Sequence, residues 1–158
     1  MNKNLLIKCA IAVVVCVFFG FLASLATQSG MDAWYPSLEK PSFNPPNWIF
    51  APVWTTLYIL MGISAGIVWS KGFYHKWVKT ALYHFGFQLL LNGFWSLLFF
   101  GLQEPLWALL EIIVLLVVIL LTIRWFKIVN TTASYLLYPY AAWVLFAAVL
   151  NFEIWRLN

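Results

Sequence analysis
Apolar residues run through this chain in five long blocks with short polar breaks between them: Leu5–Ala26, Ile49–Trp69, Thr80–Phe100, Pro105–Phe126 and Ala133–Trp155. Roughly 20 residues of α-helix, rising about 1.5 Å each, cross a hydrocarbon core about 30 Å thick. No block alternates apolar and polar positions as a membrane β-strand does. The pattern predicts an all-α membrane protein, a single domain over residues 1–158 built as a bundle of five transmembrane helices. The first block starts beside Lys3 and Lys8, and Ser24-Leu25-Ala26 imitates a signal-peptide cleavage site. Its apolar stretch exceeds the roughly 7–15 residues of a signal peptide, so it is read as the first helix.

Polar residues inside the blocks fall in stripes. In the third, His84, Gln88, Asn92 and Ser96 recur every four residues and share one helix face, with Trp95 beside them. Amides left unpaired in hydrocarbon are costly, so this face is expected to turn toward the bundle interior or another subunit. Gln88 and Asn92 then bond to neighbouring helices, to a ligand, or to both. In the fifth block Tyr140, Trp143, Ala147 and Asn151 form a similar stripe, and the small Ala147 leaves room beside the indole. In the second, Trp54, Tyr58, Met61 and Ala65 share a face, while Gly62 and Gly66 make a G-x-x-x-G that favours close helix packing. Glu111, one to two turns into the fourth block, is a functional candidate simply as an intramembrane carboxyl.

The connection Thr27–Asn47 is far longer than a usual inter-helix turn and carries Trp34, Tyr35, Pro36, Pro41, Phe43, Pro45 and Pro46. Loops of this length are lids or are disordered. So many aromatics argue against disorder, and the prolines stiffen the backbone. A long structured first loop acting as a lid is expected.

Composition agrees: 64% of residues are hydrophobic and only 9% charged, against about 25% charged in a soluble domain. The formal charge is +4, and its distribution matters more than its size. Lys3, Lys8, Lys71, Lys76, Lys79, Arg124 and Lys127 fall on one side of a five-span chain. Lys40 and Arg156 fall on the other, with Asp32, Glu39, Glu104 and Glu153. The positive-inside rule then places the N-terminus in the cytoplasm. The basic residues set topology, and no nucleic-acid partner is expected. With that orientation Gly20, Ala23, Ser24, Trp54, Tyr58, Asn92, Trp95, Trp107, Glu111, Ala147, Leu150 and Asn151 reach the outer leaflet, under the lid, with Trp143 nearer the midplane. A pocket is expected at that depth.

Ten tryptophans occur in the chain. Indole offers a flat face and one N–H, which suit interface anchoring or the gripping of a flat ligand. Trp48, Trp69, Trp77, Trp125 and Trp155 lie at block ends and are read as anchors, leaving Trp34, Trp54, Trp95, Trp107 and Trp143 for the pocket or lid. Cys9 and Cys16 are about 10 Å apart along one helix, too far for a disulfide. Neither His75 nor His84 sits in a metal-ligand spacing, so no metal is expected. No phosphate loop, Ser/His/Asp set or carboxylate pair is present.

These residues resemble the tryptophan-rich sensory protein/translocator protein (TspO/MBR) family, also called the peripheral benzodiazepine receptor family. The resemblance is carried by Trp34-Tyr35, Lys40 to Trp48, Pro52-Val53-Trp54-Thr55, Leu57-Tyr58, Gln88, Asn92, Trp95, Trp107-Ala108-Leu109, Leu137 to Tyr140, Trp143, Phe146-Ala147 and Leu150-Asn151. It implies a five-helix bundle, a homodimer, and binding of porphyrins and isoquinoline or benzodiazepine drugs beneath the first loop. The ligand-facing positions it implies are Ala23, Trp54, Asn92, Trp95, Trp107, Trp143, Ala147 and Leu150. Tyr35, Tyr58 and Gln88 join them on the depth and stripe arguments above. Phe152 stands where the family's sterol motif wants tyrosine, which weighs against sterol binding. The lysine pattern suggests a bacterial plasma membrane.

The function expected is a tetrapyrrole receptor or sensor needing no cofactor, with protoporphyrin as ligand. One alternative is an enzyme that degrades protoporphyrin with light and oxygen, in which Trp54 and Trp143 are the reactive residues. A porphyrin or sterol translocator ranks lower, because five spans do not divide into two repeats.

Overall fold
In hydrocarbon only the backbone itself satisfies its N–H and C=O groups, and this chain does so with helices. The computed structural model describes residues 2–158, and no strand occurs among the described residues. Helix α1 spans Lys3–Ala33 and is capped by the Asn2 side chain, which accepts from the Asn4 N–H at 3.1 Å. Then follow α2 (Phe50–Ser70), α3 (Lys76–Ser96), α4 (Pro105–Val129), α5 (Thr131–Tyr135) and α6 (Tyr138–Leu157). Pro105 and Pro139 stand in first turns, where a missing N–H leaves no bond unmade.

Three boundaries differ from the sequence expectation. Helix α1 continues through Thr27–Ala33, so the lid is shorter than residues 27–47. At 31 residues, about 46 Å, α1 outruns the hydrocarbon core, and polar side chains near its end do not stop it. The third block ends its α-helix at Ser96 and closes with a π turn, Leu97–Gly101. The fifth breaks in two: Asn130 caps α5 through the Ala133 N–H at 2.9 Å, and the chain turns before Pro139.

Helices α1, α2, α4 and the α5–α6 pair are each long and apolar enough to cross a membrane. Helix α3 has 21 residues, and its inward stripe of His84, Gln88 and Asn92 lowers its hydropathy. The long helices form a ring in the order α1, α2, α6, α4, α3, back to α1. The tightest seam joins α1 to α2. A Cβ on Gly62 or Gly66 would strike the backbone of Val13 or Cys9 respectively. The G-x-x-x-G is thus occupied within one chain by the α1–α2 contact. Gly30 similarly lets the end of α1 lie on the Phe100 backbone in the π turn.

Valine at Gly62 therefore overpacks this seam, at a cost of about 1–3 kcal/mol. Valine at Gly86, where a Cβ meets open space, does not. In detergent melts, Gly62→Val lowers the midpoint by several degrees and Gly86→Val leaves it in place.

Candidate ligand cavity
Among the described residues no extensive seam joins α1 to α6, and a cavity of about 550 Å³ lies between them. Its α1 wall includes Gly20, Ala23, Ser24, Thr27 and Gln28. Phe50, Trp54 and Tyr58 come from α2; Trp95, Phe99 and Phe100 from α3 and the π turn; Trp143, Phe146, Ala147 and Leu150 from α6. Gly20 must stay small, because its Cβ would come within 2.5 Å of the Tyr58 ring. Aromatic rings brace one another around the space. Phe50 meets Trp143 edge-on at 6.1 Å, Trp143 leans on Phe146 at 5.3 Å, and Trp95 stacks on Phe99 at 5.4 Å.

The floor is held by a buried hydrogen-bond chain. The Tyr58 hydroxyl donates to Asn92 Oδ1 at 2.5 Å, and Asn92 Nδ2 donates to the Tyr140 hydroxyl at 3.0 Å. Tyr140 in turn donates to Gln88 Oε1 at 2.7 Å. Three helices are pinned by these three bonds. A second link runs from Trp95 Nε1 to Asn151 Oδ1 at 3.1 Å, and from Asn151 Nδ2 to the Pro105 carbonyl at 2.9 Å. The Trp95 N–H is thereby committed. The Trp143 Nε1 is not: it is buried, lies on a cavity-lining residue and has no hydrogen-bond partner.

The roof is anchored by Tyr35, which is 2% exposed, donates to Asn44 Oδ1 at 2.7 Å and packs on Phe50, Phe99 and Phe100. Burial pushes its phenol above the ordinary value, so the donor stays protonated across the physiological range. Lys40 lies 5.0 Å over the Tyr35 ring. The Asn158 side chain clips the loop to the end of α6, accepting from the Glu39 N–H at 3.0 Å and donating to the Glu39 carbonyl at 2.9 Å.

Of the residues singled out in the sequence, Ala23, Tyr35, Trp54, Tyr58, Trp95, Trp143, Ala147 and Leu150 line this one cavity. Gln88 and Asn92 do not line it; they bond the helices together beneath Tyr58. Trp107 is a correction. It is 60% exposed and stands with Leu110, Val114 and Val117 on the outer face of α4, one residue out of phase with the buried Ala108 and Glu111. Depth and the family resemblance both put it in the pocket, and helical phase turns it away from this cavity. Glu111 is buried on the inner side of α4 and is absent from the cavity lining. Sequence reasoning missed the last turns of α1, where Thr27, Gln28, Met31 and Asp32 line the wall. The signal was present: Ser24, Gln28 and Asp32 recur every four residues, as the α3 stripe does.

Chemically the cavity offers broad aromatic faces with a minority of polar groups, Thr27, Gln28 and Asp32 among them, the composition of a site for a flat, largely apolar ligand. No group of three His, Cys, Asp or Glu side chains able to hold a metal occurs among the described residues.

Residues 12–156 match the TspO/MBR family. The chain is 44% identical over 154 residues to the tryptophan-rich protein TspO of Archaeoglobus fulgidus, covering 97% of this chain and 98% of that protein. It is 43% identical over 158 residues to the tryptophan-rich protein TspO of Chlorobaculum tepidum, covering 100% and 99%. The translocator protein of Bos taurus is 39% identical over 140 residues, 88% of this chain and 83% of that protein.

Tyr140→Phe leaves Asn92 Nδ2 and Gln88 Oε1 without their partner, and each orphan costs about 1–3 kcal/mol. Chemical denaturation in mixed micelles should show that loss. Trp107→Leu, on the outer face, stays within about 0.5 kcal/mol of the parent chain. A large loss from Trp107→Leu contradicts the placement given above.

Proposed function
The chain belongs to the TspO/MBR family, and from that premise we propose that it is a membrane receptor that binds a tetrapyrrole of the protoporphyrin type beneath the first loop. The observation that carries the reading is the convergence of indoles from three helices on one cavity of about 550 Å³, with a buried indole N–H left unpaired. A porphyrin is a broad polarisable disc with polar side groups. The faces of Trp54, Trp95 and Trp143 suit its macrocycle. The Trp143 N–H suits an acceptor on its rim. A lid pinned by Tyr35 and Asn158 closes over the ligand without covalent capture.

A second reading, light- and oxygen-dependent breakdown of the bound porphyrin, is favoured by one observation. Trp54 and Trp143, two oxidisable indoles, both line the space the macrocycle would occupy. The proposal includes an N-terminus in the cytoplasm of a bacterial cell and a plasma-membrane location, on the positive-inside argument. It includes a homodimer formed through the lipid-facing surfaces.

Protoporphyrin IX titrated into the purified chain gives saturable tryptophan quenching and a shifted Soret band. Trp143→Phe keeps an aromatic ring and removes the N–H, so affinity falls about 2–10-fold, the worth of one net hydrogen bond. Unchanged affinity overturns the assignment of that indole. Illumination of the bound complex separates the second reading: slower bleaching and altered products in Trp54→Phe support it, and identical bleaching rejects it.

A further inference from the structure
A second cavity, also about 550 Å³, opens between α1 and α3 at the other end of the bundle. Val15 and Cys16 of α1, Trp69 of α2, Phe73 of the connecting turn, and Phe85 and Gly86 of α3 are among its lining residues. All of its lining side chains are aliphatic or aromatic, apart from Gly86 and the buried Cys16. Its origin is geometric. The glycine seam draws α1 onto α2, and Gly86 presents no side chain to fill the gap that this leaves along α3.

Two of the aromatics on its wall carry ammonium groups. Lys8 Nζ lies 5.3 Å from the Trp69 ring and donates to the Trp69 carbonyl at 3.3 Å. Lys79 Nζ lies 5.8 Å from the Phe73 ring. Neither faces a carboxylate: the ion pair found among the described residues is Arg156–Glu153, on the far end of α6. Hydrocarbon walls with two unneutralised cations at the rim are complementary to one molecule in the surrounding bilayer, a lipid with an acyl chain and a negative headgroup. The stretch Leu82–Leu89 gives the groove a length of about 10 Å along α3. That accommodates the upper part of an acyl chain.

We propose that this groove is a binding site for an anionic phospholipid of the leaflet at the lysine-rich end, its acyl chain between α1 and α3 and its phosphate met by Lys8 and Lys79. Basic pockets between membrane helices hold anionic headgroups by this combination of charge and hydrocarbon contact. The site is separate from the tetrapyrrole cavity and does not depend on that reading.

Native mass spectrometry of the full chain, with phosphatidylglycerol and phosphatidylcholine of identical acyl chains, tests it. The parent chain retains one phosphatidylglycerol in preference to phosphatidylcholine. Lys8→Gln and Lys79→Gln each weaken phosphatidylglycerol retention about five-fold, and the double variant loses the preference. Gly86→Leu fills the groove and removes the bound lipid, with its melting midpoint reporting that the fold is kept. Should Gly86→Leu not fold, the lysine variants decide alone. Equal retention of the two lipids by the parent chain, an unaltered preference in the double lysine variant, or lipid retained by folded Gly86→Leu overturns the proposal. So does a disulfide joining two copies through Gly86→Cys, which would put a second chain in the groove.

Discussion
Two amides and two phenols buried inside a membrane bundle have no water to bond to, so they must bond to one another. Tyr58, Asn92, Tyr140 and Gln88 do so in an unbroken chain across α2, α3 and α6. The consequence is rotational. Turning α3 by a single residue, about 100°, would carry Asn92 and Gln88 out of the chain and leave both phenols unpaired. The same rotation fixes where the indoles point, since Trp54 is one turn from Tyr58, Trp95 is beside Asn92, and Trp143 is beside Tyr140 on the helical net. The polar floor thus orients the aromatic walls.

The space itself follows from a second constraint. Gly62 and Gly66 allow α1 to approach α2 until backbones touch, and Gly30 seats its end on the π turn. Held at both places, α1 forms no extensive seam with α6 among the described residues, and the ring encloses a cavity instead of a packed core. The buried Trp143 N–H, on a residue that lines it, costs stability while nothing accepts its hydrogen bond. Gln88 Nε2 and the Glu111 carboxyl are also buried without a partner, but of these three residues Trp143 alone lines the cavity.

Much of this was legible in the sequence because two periods coincide. Blocks of about 20 apolar residues marked the helices, and four-residue polar spacing in α3 and α6 marked their inner faces. Where the reading failed, one coordinate was missing. Trp107 was placed by depth as well as by the family resemblance, and depth gives height along the bundle normal but no azimuth. Only the phase of Ala108, Glu111 and Ile112 shows that it faces outward. The residues 27–33 looked like loop because they are polar, yet a helix longer than the membrane is thick continues happily into headgroups and water. The G-x-x-x-G announced a tight contact without saying with what, since a partner helix from the same chain and one from another copy impose the same small-residue requirement. Gln88 and Asn92 were left between two roles, and the hydrogen-bond partners assign them to the scaffold.

The proposition beneath all of this is that the vacancy between α1 and α6 is where the ligand sits. An experimental structure of the chain with protoporphyrin IX bound tests it most directly. The account predicts macrocycle density between those two helices, under Tyr35, with a rim acceptor at hydrogen-bond distance from Trp143 Nε1. Density on the lipid-facing surface, with the α1–α6 cavity collapsed or holding no ligand, would contradict it.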